Sequence, residues 1–332
     1  MTIGSGLGGS VGIGRETTFG TPATPTRWLE MDSEGLKWRP VRYQGHGLAA
    51  GVMVAKQSQR VTTNADAGGP IKSMVYSKGM GLWISNLMGS TATPQQQSST
   101  AAYKQTHPLG IQTGIFDTIQ AGVPDTGGTV HPYTFEGSKI TEAQFECDQA
   151  APLTATFTVD SKDCSESPSL TAPAFLSANP EHHFGEWSFE MGSFGSEAVV
   201  EGVRKMSVSI KRAVADKRFY ADGTGRKAEQ IGNGIVEISG SLDVDFIDKT
   251  VFADRFVTDA SQSVIFSFVG PQIGTTGFFN TFAINLSDIH LDAETPSIDG
   301  PDIISPKVTF SGLYDENNAP ATITIISTDT AL

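Results

Sequence analysis

The chain has 332 residues, a net charge of −13, 18% charged side chains, 36 glycines, 17 prolines and two cysteines. That length makes one large or two ordinary domains, and the Gly, Pro, Ser and Thr content suits a loop-rich β protein. The acidic balance excludes a reader of DNA through a basic face, two cysteines are too few for a disulfide scaffold, no apolar run nears the roughly 18 residues of a membrane span, and no secretory signal is expected.

The first segment with a character of its own is 12–30, GIGRETTFGTPATPTRWLE. Gly12, Gly14 and Gly20 loosen the backbone, while Pro22 and Pro25 stiffen it and push Thr21 and Thr24 towards extended geometry. Arg15, Glu16 and the threonines supply hydrogen bonds but no amphipathic stripe, so residues 1–30 are expected to form an extended arm lying along a neighbouring copy. Deleting residues 1–25 would then leave a folded subunit unable to polymerise. Strands are expected at 36–43, with Pro40 marking an edge or bulge, and at 71–76, 133–135, 139–147 and 153–160. In the last of these Leu153, Ala155, Phe157 and Val159 form a period-two face. After a Pro/Ser/Ala-rich stretch from 165 to 180, strands resume at 184–191, 203–211, 234–246, 264–269, 281–291 and 307–314, and Asn233-Gly234 signals a hairpin turn. Helices are expected at 79–88, around Trp83 and Leu87, and at 248–258, with Asp248 as N-cap and Phe252 over Phe256.

Both parts of the chain run through the same order: a strand with basic residues, a long polar loop (44–67; 213–233), a strand, a short helix, and a closing strand pair carrying Thr-Phe after a proline (Thr156-Phe157; Thr309-Phe310). The expected organisation is therefore the arm 1–30, a first β domain 31–165, a linker 166–182 and a second β domain 183–332. The fold class is mainly β: two tandem sandwich or barrel domains, each with a long loop and a short flanking helix.

No constellation points to catalysis or to a cofactor. Gly4, Gly6 and Gly9 match G-x-G-x-x-G, but no strand fits before them to build a dinucleotide site. His182-His183 would point to opposite faces of a strand, which suits surface histidines better than a metal site. Asp243-Val-Asp245 and Asp299-Gly-Pro-Asp302 lack the ladder of a calcium loop. Cys147 and Cys164 fit two reduced thiols, with a single bridge left open. The charges are more telling. From 241 to 332 acids far outnumber bases, whereas bases gather in the two long loops: Lys56 and Arg60 in the first, Lys211, Arg212, Lys217, Arg218, Arg226 and Lys227 in or beside the second. A basic loop and an acidic body on one molecule favour head-to-tail contact between copies.

The wording G-x-E-T-T-x-G-T, followed by Pro-Thr and Trp28, resembles the N-terminus of tail tube (major tail) proteins of long non-contractile bacteriophage tails. The motif covers about 20 residues, and the order of sandwich, long loop and short helix matches most of the rest loosely. The resemblance implies a non-enzymatic virion protein of the tail, assembled in the bacterial cytoplasm. Its partners would be copies of itself, a tape-measure protein and a tail terminator, with DNA passing non-specifically and no membrane involved. Rings would stack into a hollow tube. A duplicated subunit favours a trimeric ring of pseudo-sixfold symmetry over a hexamer. Carried over by position, Arg15, Glu16, Thr17, Phe19, Trp28, Lys56, Arg60, Lys217, Arg218, Arg226 and Lys227 would make contacts between subunits or rings. Asp243, Asp245, Asp288 and Asp292 would line an acidic lumen that repels phosphates. The alternatives are a decoration or baseplate ring protein, the inner tube of a contractile injection system, and a β-sandwich hydrolase or carbohydrate-binding module.

Overall fold

The computed structural model describes residues 6–292, 300–301 and 303–332; Gly4 of the glycine motif, and Asp299 and Asp302 of the candidate calcium loop, lie outside them. The chain is mainly β, and its strands are longer and more numerous than alternation alone predicts. The first half holds β1 (Ser10–Arg15), β2 (Arg27–Leu29), β3 (Met31–Glu34), β4 (Lys37–Gln44), β5 (Arg60–Met74), α1 (Gly81–Met88), β6 (Tyr103–Pro108), β7 (Asp117–Pro124), β8 (Val130–Cys147), β9 (Thr154–Ser161) and β10 (Asp163–Ser165). The second holds β11 (Trp187–Ser193), β12 (Ser196–Val199), β13 (Val203–Lys211), β14 (Glu237–Val244), α2 (Ala253–Val257), β15 (Gln262–Gln272), β16 (Phe279–Asp292), β17 (Lys307–Gly312) and β18 (Ala321–Ser327).

The two halves repeat one pattern of pairing, all antiparallel. In the first, β1 joins β2 and β7, β7 joins β8, β8 joins β9 and β10, and β5 joins β9 and the β3–β4 strand. In the second, β11 joins β12 and β15, β15 joins β16, β16 joins β17 and β18, and β14 joins β17 and β13. Each half thus has one long strand, β8 or β16, that leaves an outer sheet and enters an inner one. In β8 the crossing is at Gly137, whose φ of +58° is left-handed. A Cβ there would lie 2.6 Å from the Phe19 ring, so only glycine fits the bend.

The halves are not separate bodies. β8 pairs with β13 from Met206↔Cys147 to Lys211↔Glu142, and β6 pairs with β18. One inner sheet therefore runs β4-β5-β9-β8-β13-β14-β17-β16. Its core face carries Ala155, Phe157, Val159, Ala143, Phe145, Met206, Val208, Ile210, Leu242, Val308 and Phe310, which belong to one apolar cluster drawn from both halves. Residues 166–182 do not hang free between two domains. Pro180 O accepts from Ser77 N at 3.0 Å and from Ser77 Oγ at 2.8 Å.

Helix α1 lies under this sheet with every residue buried, and Trp83 stacks on Phe157 at 5.5 Å. It ends at Gly89, φ +65°, a left-handed cap. Helix α2 is shorter than expected. Asp248 is not its N-cap: the carboxylate accepts from Thr250 N at 2.8 Å, and the capping position is Phe252. Asn233-Gly234 is not a hairpin turn either; Asn233 N donates to Ala213 O on the returning limb of the second excursion. His182 is buried, its Nδ1 2.8 Å from Glu186 Oε2, while His183 is exposed. Both cysteines are free thiols, and burial pushes each up to about 12.

Candidate assembly interface

Residues 10–16 are core of their own chain, which corrects the expectation that this part of the segment is an extended arm lying along a neighbouring copy. Val11 and Ile13 are fully buried between β2 and β7. The three glycines that made the segment look loose allow close approach instead. A Cβ on Gly14 would lie 2.4 Å from Thr24 O, and one on Gly12 2.9 Å from Pro25. Glu16 is 3% exposed and ties β7, β8 and the turn at Gly20: Oε1 accepts from Thr118 Oγ1 and from Gly137 N, and Oε2 accepts from Gly20 N, each at 2.8 Å. Arg15 Nε lies 2.8 Å from Asp117 Oδ1 and Nη2 donates to Ser85 Oγ of α1 at 3.0 Å. Phe19 packs edge-on against Phe116, with Lys162 Nζ 5.6 Å above its ring. Trp28 is half-buried opposite Gly12. Of the arm candidates Thr17 alone is exposed. The motif that carries the resemblance is a folding element.

The two long excursions differ. In the first, residues 45–59 stand out from the β4–β5 hairpin, and Lys56 and Arg60 are exposed. The tip is apolar: Leu48, Met53 and Val54 are fully or largely exposed. The second, 212–236, is folded onto the first half of its own chain. Lys227 is buried, with Nζ 2.5 Å from Asp160 Oδ1 and bonded to Asp66 as well. Burial pulls its ammonium down, but the Asp160 and Asp66 carboxylates outweigh that and hold it above the ordinary lysine value. Arg226 Nε pairs with Asp163 Oδ2 at 2.7 Å, Arg218 bonds Glu229 O and the Tyr220 hydroxyl, and Glu229 accepts from the buried Lys139 at 2.7 Å. Arg212 donates to Leu87 O, at the end of α1, and to Gly110 O at 3.1 Å. Of the second-loop candidates, then, Lys217 alone is exposed; Arg218, Arg226 and Lys227 bind their own chain. The opposite charges expected to join copies instead join the halves of one copy.

The face of the inner sheet that points away from the core is rich in hydroxyls. It carries Thr154, Thr156 and Thr158 of β9, Gln144 of β8, Ser207 and Ser209 of β13, Ser239 and Ser241 of β14, and Thr309 and Ser311 of β17. Its acids are Glu142, Glu146, Glu237, Asp243 and Asp292, and they alternate with Lys72, Lys205, Lys211 and Lys307. Asp243 lies in register with Lys205 on one side and Lys307 on the other. Asp245 pairs with Arg204 at 3.2 Å. Asp288 is buried and accepts from Ser261 Oγ at 2.5 Å, so it presents no free carboxylate. Asp292 is exposed at the end of β16. The acid-rich C-terminal third therefore does not make an acidic sheet face. Ser207 and Ser209 lie on the wet face that the alternation of 203–211 predicts, whereas Glu142 and Glu146 follow a bulge at 140–142 that breaks the alternation of their strand.

A model of the phage tail tube protein family matches residues 6–312. The chain belongs to this family. No curated protein matches it. As a tail tube protein it is a structural, β-rich component of the bacteriophage virion tail, and it assembles with itself and other tail components. Among the described residues no helix is long and apolar enough to cross a membrane.

Proposed function

We propose that copies of this tail tube protein close edge to edge into rings and that the rings stack into the hollow tube through which DNA leaves during ejection. The observation that carries this reading is the inner sheet. It ends on an edge strand at each side, residues 31–44 and the end of β16, and edges with unpaired backbone groups are satisfied when strands of another copy add to them. An interface that joins two different edges is heterologous, and repeated rotation closes it into a ring. Each chain supplies the same pairing pattern twice, which favours three chains and pseudo-sixfold symmetry over a hexamer. The hydroxyl-rich outer face of the inner sheet is the wall we assign to the lumen. Its acids are interleaved with lysines, so phosphates meet no net basic surface to hold them. A tape-measure protein would occupy the lumen during assembly, and a tail terminator would cap the last ring. The exposed loop 45–59, with Lys56 and Arg60 at its base, fits contact between rings.

Negative-stain electron microscopy of the concentrated protein tests this. Hollow tubes with three- or sixfold end views are the expected result. Single particles the size of one chain at every concentration, with monomeric light scattering, would overturn it.

A further inference from the structure

We propose that the strand 31–44 of one copy pairs antiparallel with residues 290–292 of a second copy, and that this joint repeats between chains the β8–β13 joint within the chain. The proposal rests on the tube reading above and adds to it which edges meet and in what register.

The register follows from the internal repeat. Phe157 of β9 faces Ile71 on one side and Ala143 on the other. Phe310 of β17 faces Gly240 and Leu291. Ala143 and Leu291 therefore hold one place in the two halves, as do Ile71 and Gly240. Glu237 precedes Gly240 by the same step as Gly68 precedes Ile71, and their partners are Lys211 and Lys37. Lys37 thus stands where Lys211 stands. On the long strands, Glu142 comes just before Ala143 and His290 just before Leu291. Within the chain Lys211 is opposite Glu142 and Ile210 opposite Ala143. Between chains, Lys37 then falls opposite His290 of the second copy and Leu36 opposite Leu291 of the second copy.

Burial agrees with that register. Ile210, Ala143 and Leu291 are buried on the core side and Leu36 packs against the same cluster, whereas Lys211 and Lys37 are on the wet side. A register slipped by one residue would turn Leu36 to water. Among the described residues, 31–44 pairs with β5 alone and 290–292 with β17 alone. The free strand leaves Trp38, Val41 and Tyr43 between 41% and 60% exposed, and an apolar groove lined by Leu36, Trp38, Val123, Tyr133 and Phe135 opens beside it. Lys37, Arg39 and Arg42 on this edge complement the exposed Asp292 on the other. The loop 45–59 supports the same partner. Its counterpart 212–236 follows β13 and lies on the half that β13 joins; 45–59 follows β4 and projects past its own chain towards the second copy.

Directly opposed antiparallel residues bring Cα atoms to about 4.5–5.5 Å, within disulfide reach. The full chain carrying Lys37→Cys and His290→Cys is assembled, oxidised and run without reductant, beside each single variant; circular dichroism melts check that all are folded. Interchain disulfides in the double variant only, in a ladder ending at a closed three-chain species, are expected. Rings or tubes that form by microscopy without such disulfides would overturn the joint and leave the tube reading standing. Absence of any oligomer, in the parent chain as well, would overturn both.

Discussion

At the scale of single residues, the polar groups that decide this molecule are buried and paired. Lys227 is the clearest. Its ammonium sits between Asp160 and Asp66, without exposed side-chain surface. Removing one partner of such a pair leaves the other charge buried and uncompensated, a loss of about 3–5 kcal/mol. Lys227→Met should therefore destabilise the folded chain by that order in guanidinium unfolding, and adding Asp160→Asn should recover part of it. A loss below about 1 kcal/mol would mean the pair behaves as a surface one. Two other buried groups contribute opposite slopes to the acid response. Burial, with Arg15 nearby, pulls His107 from 6.5 to about 4, so the folded chain holds it neutral. The unfolded chain protonates first, and stability is lost as pH falls from about 6.5 to about 4, in full about 3 kcal/mol. Burial raises Asp117 from 3.8 to about 6 against the opposing pull of Arg15. Its contribution is present below about 3.8 and lost as pH rises through about 6. The two slopes oppose. His107→Gln should flatten or reverse the fall in melting temperature between pH 6.5 and 4, and Asp117→Asn should steepen it; identical profiles for both variants and the parent would rule this out.

At the scale of elements, the N-terminal strand separates what the sequence showed from what it hid. Where one face is buried and alternation is long, as in β9 and β13, the strands are legible: alternation alone predicts 203–211 with its observed bounds, and the register of β9 with β8 and β5 explains why Phe157 and Val159 face inward. Strand β1 is SVGIGR, with burial on nearly every residue, so no polar alternation marks it, and its glycines imitate a flexible arm. Their real cause, the approach of Thr24 and Pro25, is not local in sequence. The same holds for the assembly candidates. That loop 212–236 carries bases was visible, but that Asp66, Asp160 and Asp163 wait under it depends on how the halves meet. Because β1 completes the core, deleting residues 1–25 should not give the competent but non-polymerising subunit a free arm would allow. It uncovers Ile119 and Leu29, and the expected product is aggregated or lacks a cooperative melt and near-ultraviolet dichroism. A cooperatively melting truncated monomer would restore the arm.

At the scale of the whole molecule, a chain of net charge −13 presents one broad face where charge is nearly balanced and hydroxyls dominate. The balance follows from antiparallel register: Lys205 and Lys307 flank Asp243, and Lys211 lies across from Glu142 and Glu237. Such a face neither grips nor strongly repels a polyanion at short range, since opposite charges a few ångströms apart cancel beyond about one Debye length, about 8 Å at physiological salt. Passage of DNA along it would then depend on the absence of net positive charge more than on an excess of negative charge. Thr156→Arg, Ser207→Arg and Ser241→Arg together test this, because all three side chains point away from the core. The triple variant should fold and melt like its parent. Its tubes should retain short DNA duplexes that parent tubes release, with affinity falling steeply with salt, by a slope of about −0.9 for each phosphate neutralised. Triple-variant tubes that hold DNA no better than the parent would place this face away from the DNA path and move the lumen to another surface.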